Sequence, residues 1–173
     1  MLSSWIQRGI RQQEETLGVP LDYLHYINQH DPVAVAKLGL IKPLATHRRR
    51  LPPEALHLAR LQAIRVEDCG ECVQIEVNLA RKAGVPPEFL RAVLSEQLEN
   101  LPSDLADVVR FAFAVAVSAS DEDGLRERLR QRYGDAGLVE LCLGIASARF
   151  FPTLKRALGY SQSCSLIRVA VPA

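Results

Sequence analysis

The chain has 173 residues, 48% of them hydrophobic and 24% charged, with a formal net charge of +1. That is the length of one domain with a sizeable core and the composition of an ordinary globular protein. The near-neutral charge excludes a general affinity for nucleic acid or for an anionic membrane surface.

The N-terminal MLSSWIQRGIRQQEE contains no apolar run of signal-peptide length. The longest apolar candidate, FAFAVAVSA at 111–119, falls short of the roughly 20 residues of a membrane span. A cytoplasmic protein without a membrane partner is therefore expected. In a reducing compartment a structural disulfide is disfavoured, so close cysteines there point to catalysis or metal.

The apolar spacing predicts helices almost everywhere. A first helix covers 3–16 and stops at Gly18 and Pro20; a short one follows at 21–29. Asp31-Pro32 caps a third, 32–47, and His47-Arg48-Arg49-Arg50 reads as its solvated cationic end. Pro52-Pro53 starts a fourth, 53–66, where a missing N–H costs nothing. The fifth, 69–83, ends on a C′ glycine, Gly84. A sixth covers 87–97 and a seventh 103–119.

Ser120 then reads as an N-cap ahead of Asp121, Glu122 and Asp123. Leu125, Leu129 and Tyr133 face inward, with Arg126, Arg128, Arg130 and Arg132 outward. The last helix, 135–158, carries a kink at Pro152 and closes at Gly159, before an extended or frayed tail. The expectation is an all-α domain of about eight to nine helices, with residues 1–50 a helical extension packed on a core of residues 51–173. ALHLARLQAI (55–64) and LVELCLGIASARFF (138–151) are apolar on most sides. Such helices are buried, and a small domain has little room for two, which favours a homo-oligomer.

The chemistry concentrates at VEDCGECVQIE, residues 66–76. In a C-x-x-C at a helix start both sulfurs lie within bridging reach, and the first sees the positive helix end, which lowers its pKa. Cys69, Cys72 and Glu76 are spaced i, i+3, i+7 and share one face. A dithiol needs a proton relay, and His57, on the helix before, is the natural member. Two antiparallel helices joined at 66–69 bring it beside Cys72 and Glu76. A carboxylate near a thiol raises the thiol pKa, so either a protonated His57 offsets Glu76, or burial raises the Glu76 pKa and Glu76 itself takes the proton.

The run PPEALHLARLQAIRVEDCGECVQIEVNLARKAGVPPEFLRAVL resembles the alkylhydroperoxidase D-like branch of the carboxymuconolactone decarboxylase family. VELCLGIASARFFPTLKRALGY looks like that family's closing helix, so the resemblance spans roughly residues 50–160. The family signature has Glu twelve residues before the C-x-x-C and His four residues after it. Here His57 stands at the Glu position and Glu76 at the His position, so the relay pair is exchanged. The resemblance implies an alkylhydroperoxidase D-like fold assembled as trimers or hexamers. It implies a thiol–disulfide redox enzyme acting on a hydroperoxide, or on a partner disulfide of a peroxiredoxin or lipoyl-type carrier, with no cofactor and no resident metal. Cys69, Cys72, His57 and Glu76 are the expected catalytic residues.

Two other readings compete. The decarboxylase class of the same family uses acid–base groups and has no need of a C-x-x-C. A non-enzymatic helical oligomer could use the cysteines to sense redox state or to hold zinc with His57 and Glu76. Cys142 reads as a small core residue and Cys164 as a free thiol without a special role.

Overall fold

The computed structural model describes residues 2–121, 124–161 and 169–172. Among them the chain is helical, with no strand. The elements are α1 (Leu2–Leu17), α2 (Asp22–His30), α3 (Pro32–Leu38), α4 (Ile41–Ala45), α5 (Pro53–Val66), α6 (Gly70–Lys82), α7 (Pro87–Leu94), a 3₁₀ turn at Leu98–Asn100, α8 (Ser103–Ala116) and α9 (Leu125–Ala157).

Several boundaries follow local chemistry. The Asp31 carboxylate accepts from the Ala34 N–H at 3.0 Å and caps α3. Pro53 opens α5 after an extended Pro52, and Gly84, at φ +86°, leaves α6 in the left-handed conformation glycine supplies most cheaply.

Three expectations are corrected. The single helix over 32–47 is two, α3 and α4, interrupted at Gly39-Leu40. Glycine weakens the helix there, and Pro43 has no N–H to return to the Gly39 carbonyl, so the helix restarts with Pro43 in its first turn. The basic run 47–50 accordingly lies outside a helix, exposed, beyond Ala45.

The N-cap of α9 is not Ser120. The Asp121 carboxylate accepts from the N–H groups of Leu125, at 2.8 Å, and Arg126, at 3.2 Å. The break within α9 falls at Gly134, at φ +73° and ψ 172°, where the last helix was expected to begin at 135, and Pro152 sits inside the helical run.

α5 is the centre of the molecule, with nearly every residue from Ala55 to Ile64 buried. It packs against α8, α9 and α6. Gly144 permits the approach of α9, since a Cβ there would lie 2.5 Å from Leu56 Cδ1. Glu140, buried on α9, accepts backbone N–H bonds from Arg50 and Leu51 at 3.0–3.1 Å and so seats the start of α5. Burial opposes the Glu140 charge, but those backbone donors outweigh it and hold the carboxyl below its ordinary range.

α9 is buried on one side only: Leu141, Gly144, Ile145 and Ala148 face inward, while Val139, Cys142, Ala146 and Phe150 are exposed. The expected core position of Cys142 is therefore wrong. Its thiol lies on the open face, because the helical period turns residue 142 away from 141 and 145. α9 also has the length and mean hydropathy of a membrane-crossing helix by composition alone. In the fold its apolar inner face is taken up by α5 and α8.

The N-terminal helices have their own smaller core of Ile10, Leu21, Tyr23 and Leu24, which leans on Ile75 of α6 and on Phe151 and Leu154 of α9. The described part of the tail is docked: the Gln74 amide exchanges hydrogen bonds with the Ala170 backbone at 2.7 and 3.0 Å. Cys164 lies outside the described residues.

Candidate active site

α5 and α6 build the site, joined by the tight turn Glu67-Asp68. Asp68 adopts φ +50°, a conformation that Asp tolerates better than most side chains. Cys69 is itself the N-cap residue of α6, and its carbonyl accepts from the Val73 N–H at 2.9 Å. The expected helix start is thus displaced by one residue, and Cys72 falls in the first turn. The two cysteines form a disulfide with a Cα–Cα distance of 5.3 Å, inside the range such bonds span. Both are buried, as is Glu76 one turn beyond Cys72. The face shared by all three is the inward face of α6.

His57 reaches this face from α5. Its Nδ1 lies 2.8 Å from Glu76 Oε1. The structure thus joins two pairs directly, sulfur to sulfur and imidazole to carboxylate. The helical turn between Cys72 and Glu76 connects them.

A third participant is absent from the sequence reading. Arg60, buried on α5 one turn after His57, lays its guanidinium along the Glu76 carboxylate. Its Nε is 3.0 Å from both oxygens and its Nη2 is 2.8 Å from Oε2. Its Nη1 donates to the Ala45 carbonyl at 2.9 Å. The available signal was an arginine in the middle of a largely apolar run, three residues from His57 and so on the same face.

This arrangement decides the state of Glu76. Burial opposes its charge, but the Arg60 guanidinium and the hydrogen bonds from His57 and Arg60 outweigh burial and hold the carboxyl below its ordinary range. A raised Glu76 pKa, one of the two expected routes for the proton, is corrected accordingly. An ionised Glu76 only accepts hydrogen bonds, so His57 Nδ1 carries the proton between them. That leaves Nε2 as the basic nitrogen of the ring.

The other histidines stand apart. His25 pairs with Glu14 and Gln7 between α1 and α2, His30 lies against the Tyr26 ring, and His47 is exposed. Among the described residues no group of three or more His, Cys, Asp and Glu side chains is placed to hold a metal ion, and the two sulfurs are bonded to one another. An open cleft of about 630 Å³ between α5, α8 and the start of α9 is lined by residues such as Gln62, Arg65 and Phe113, and by none of the four expected residues.

A comparison with family models, curated proteins and solved structures finds no match to the chain.

Proposed function

We propose that the chain is a thiol–disulfide redox enzyme of the alkylhydroperoxidase D-like kind, cycling Cys69 and Cys72 between dithiol and disulfide. The observation that carries this reading is the Cys69–Cys72 bond set one helical turn from the buried Glu76 carboxylate, which His57 and Arg60 hold between them. A merely structural bond across three residues constrains little chain, and a buried His–Glu–Arg group beside it has no packing advantage over apolar residues of like volume.

The chemistry balances on this chain's own groups. His57 Nε2 takes a proton from a cysteine thiol. The thiolate attacks the terminal oxygen of a hydroperoxide, the O–O bond breaks, and the leaving alkoxide takes that proton from the His57 imidazolium and departs as the alcohol. His57, neutral again, takes the proton of the second thiol; that thiolate attacks the sulfenic sulfur, and hydroxide leaves as water with the proton returned by His57. An external dithiol, of lipoyl type or on a redox partner, then exchanges with the disulfide and is itself oxidised. Glu76 does not carry the mobile proton. It holds the His57 tautomer and stabilises the imidazolium, and Arg60 keeps it charged.

A homo-oligomer, trimeric or hexameric, is part of the same reading. The exposed stripe of Val139, Cys142, Ala146 and Phe150 on α9, with Phe113, Val115 and Val117 at the end of α8, supports it. A second chain would cover such apolar surface.

The test is single-turnover. Reduced protein is mixed with cumene hydroperoxide, and re-formation of the Cys69–Cys72 bond is followed by alkylation and mass spectrometry. Stoichiometric closure in wild type, its loss in Cys69→Ser and Cys72→Ser, and marked slowing in His57→Ala are expected. Closure at equal rates in wild type and His57→Ala would remove the relay. Bound zinc with both thiols protected would replace the enzyme by a metal site.

A further inference from the structure

Three cations on the second half of α9 point at the turn that carries the cysteines. Arg149 Nε donates to Glu67 Oε1 at 2.6 Å. Arg156 Nη1 donates to Glu67 Oε2 at 3.0 Å, and its Nη2 reaches the Glu67 backbone carbonyl. Lys155 Nζ pairs with the Glu71 carboxylate. Glu67 lies two residues before Cys69, and Glu71 lies between the two cysteines. The motif is therefore gripped both ahead of its first sulfur and between its sulfurs, by one rigid helix.

The carboxylates and Lys155 are largely withdrawn from water, while Arg149 is 35% exposed and Arg156 52%. Lys155 is 2% exposed and Glu67 6%. The Tyr23 ring of α2 lies 5.5 Å from Lys155 Nζ and screens it from water. Burial opposes the Glu67 charge, but Arg149 and Arg156 outweigh it and hold the carboxyl below its ordinary range. A pair with a buried member fixes position strongly, because the buried Glu67 or Lys155 left alone is a costly uncompensated charge.

We infer that Arg149, Lys155 and Arg156 form an ionic clamp that keeps the 67–72 backbone in its bridging conformation whether or not the sulfurs are bonded, and so biases the cysteine pair towards the disulfide. A free C-x-x-C dithiol samples many conformations, and few place the two Cβ atoms for bonding. A clamped one has already met that entropic cost, so closure is favoured. Cations alone would act in the opposite sense by stabilising a thiolate. Here Glu67 and Glu71 oppose their charges, which leaves mechanical constraint as the larger effect. The N-terminal extension gains a role through Tyr23, which shuts the Lys155–Glu71 pair from solvent.

The inference rests on the thiol–disulfide reading of the same pair, but its test reads an equilibrium and not turnover. The reaction is protein dithiol plus oxidised glutathione giving protein disulfide plus two reduced glutathione. Two electrons and two protons pass from the cysteine thiols to the glutathione sulfurs. Wild type, Lys155→Met, Glu71→Gln and the exchanged pair Glu71→Lys/Lys155→Glu are equilibrated in glutathione buffers, and the bonded fraction is measured by alkylation and mass spectrometry.

Each single variant should lower the constant for closure about tenfold, a change of about 1.4 kcal/mol, and the exchanged pair should recover most of it. An unchanged or increased constant in Glu71→Gln overturns the clamp. If Lys155→Met does not fold, Glu71→Gln and the half-exposed Arg156→Gln decide the question. A lowered constant without hydroperoxide turnover in wild type leaves the clamp standing and removes the enzyme. A wild-type pair that never closes in glutathione removes both.

Discussion

The molecule contains two histidine–glutamate pairs of nearly equal length, and they behave differently. His25 and Glu14 lie 3.0 Å apart between α1 and α2, each about a quarter exposed. His57 and Glu76 lie 2.8 Å apart between α5 and α6, with Glu76 only 1% exposed. The Glu14 carboxyl is held down chiefly by the Leu21 backbone N–H, with His25 assisting. Its work is to seat the start of α2. The Glu76 carboxyl keeps its charge against full burial chiefly because Arg60 lies along it, with the His57 hydrogen bond assisting. The same two side chains thus make a helix fastening where water is near. Where the carboxylate is shut from water and a guanidinium lies along it, they make a fixed charge with an oriented imidazole. What distinguishes a candidate site from a strut is the third residue and the dielectric, not the pair.

The largest test of that contrast is Arg60→Met. It strands a buried carboxylate and should destabilise the fold by about 3–5 kcal/mol in urea unfolding. The double variant Arg60→Met/Glu76→Gln should recover a good part of that loss, because both charges leave together. A single variant as stable as wild type would mean that Glu76 is not held by Arg60.

Next in size is opening of the disulfide. Cys69→Ser or Cys72→Ser should cost about 2 kcal/mol or less, since the closed loop is short, yet abolish closure after hydroperoxide treatment. The small stability change and complete functional loss together separate a redox pair from a structural bond.

Smaller still is the outer pair. Glu14→Gln or His25→Ala should cost about 1 kcal/mol or less and leave cysteine alkylation rates unchanged. A shift in those rates would join the two regions and dissolve the comparison.

The pH dependence sharpens it further. A carboxyl whose folded pKa is depressed contributes stability above its unfolded value of 4.5, and that stability is lost as pH falls below this value towards the native pKa. Unfolding free energy measured from pH 6 downward should therefore fall as acid is added. Glu76→Gln should flatten part of that slope, and Glu14→Gln a smaller part.

Much of the architecture was legible from residue patterns. The limits of α5 were read directly, because Pro53 marks its start and its apolar run has helical length. Gly84 and Gly159 were read correctly as stops, since both take the positive φ that glycine supplies. The pairing of His57 with Glu76 was legible too, because two antiparallel helices joined by a short turn leave few registers. The errors came from competition between local signals. Ser120 and Asp121 are both good caps, and only the path of the chain through Gly124 decides that Asp121 reaches Leu125. Cys142 was misplaced because its helix is apolar all round, so composition alone cannot say which side meets α5.

By itself the sequence determined the all-helical class, the helix ends set by proline and glycine, and the shared face of Cys69, Cys72 and Glu76. These rest on short-range rules of period and backbone conformation that need no partner in space. Tertiary structure alone decided that Arg60 claims the Glu76 carboxylate, that Glu67 and Glu71 are gripped from α9, and that α9 buries one side and bares the other. Those outcomes join residues separated by 16 to 89 positions along the chain. Only the packed fold brings such groups together, and only there is the dielectric low enough for their charges to fix one another.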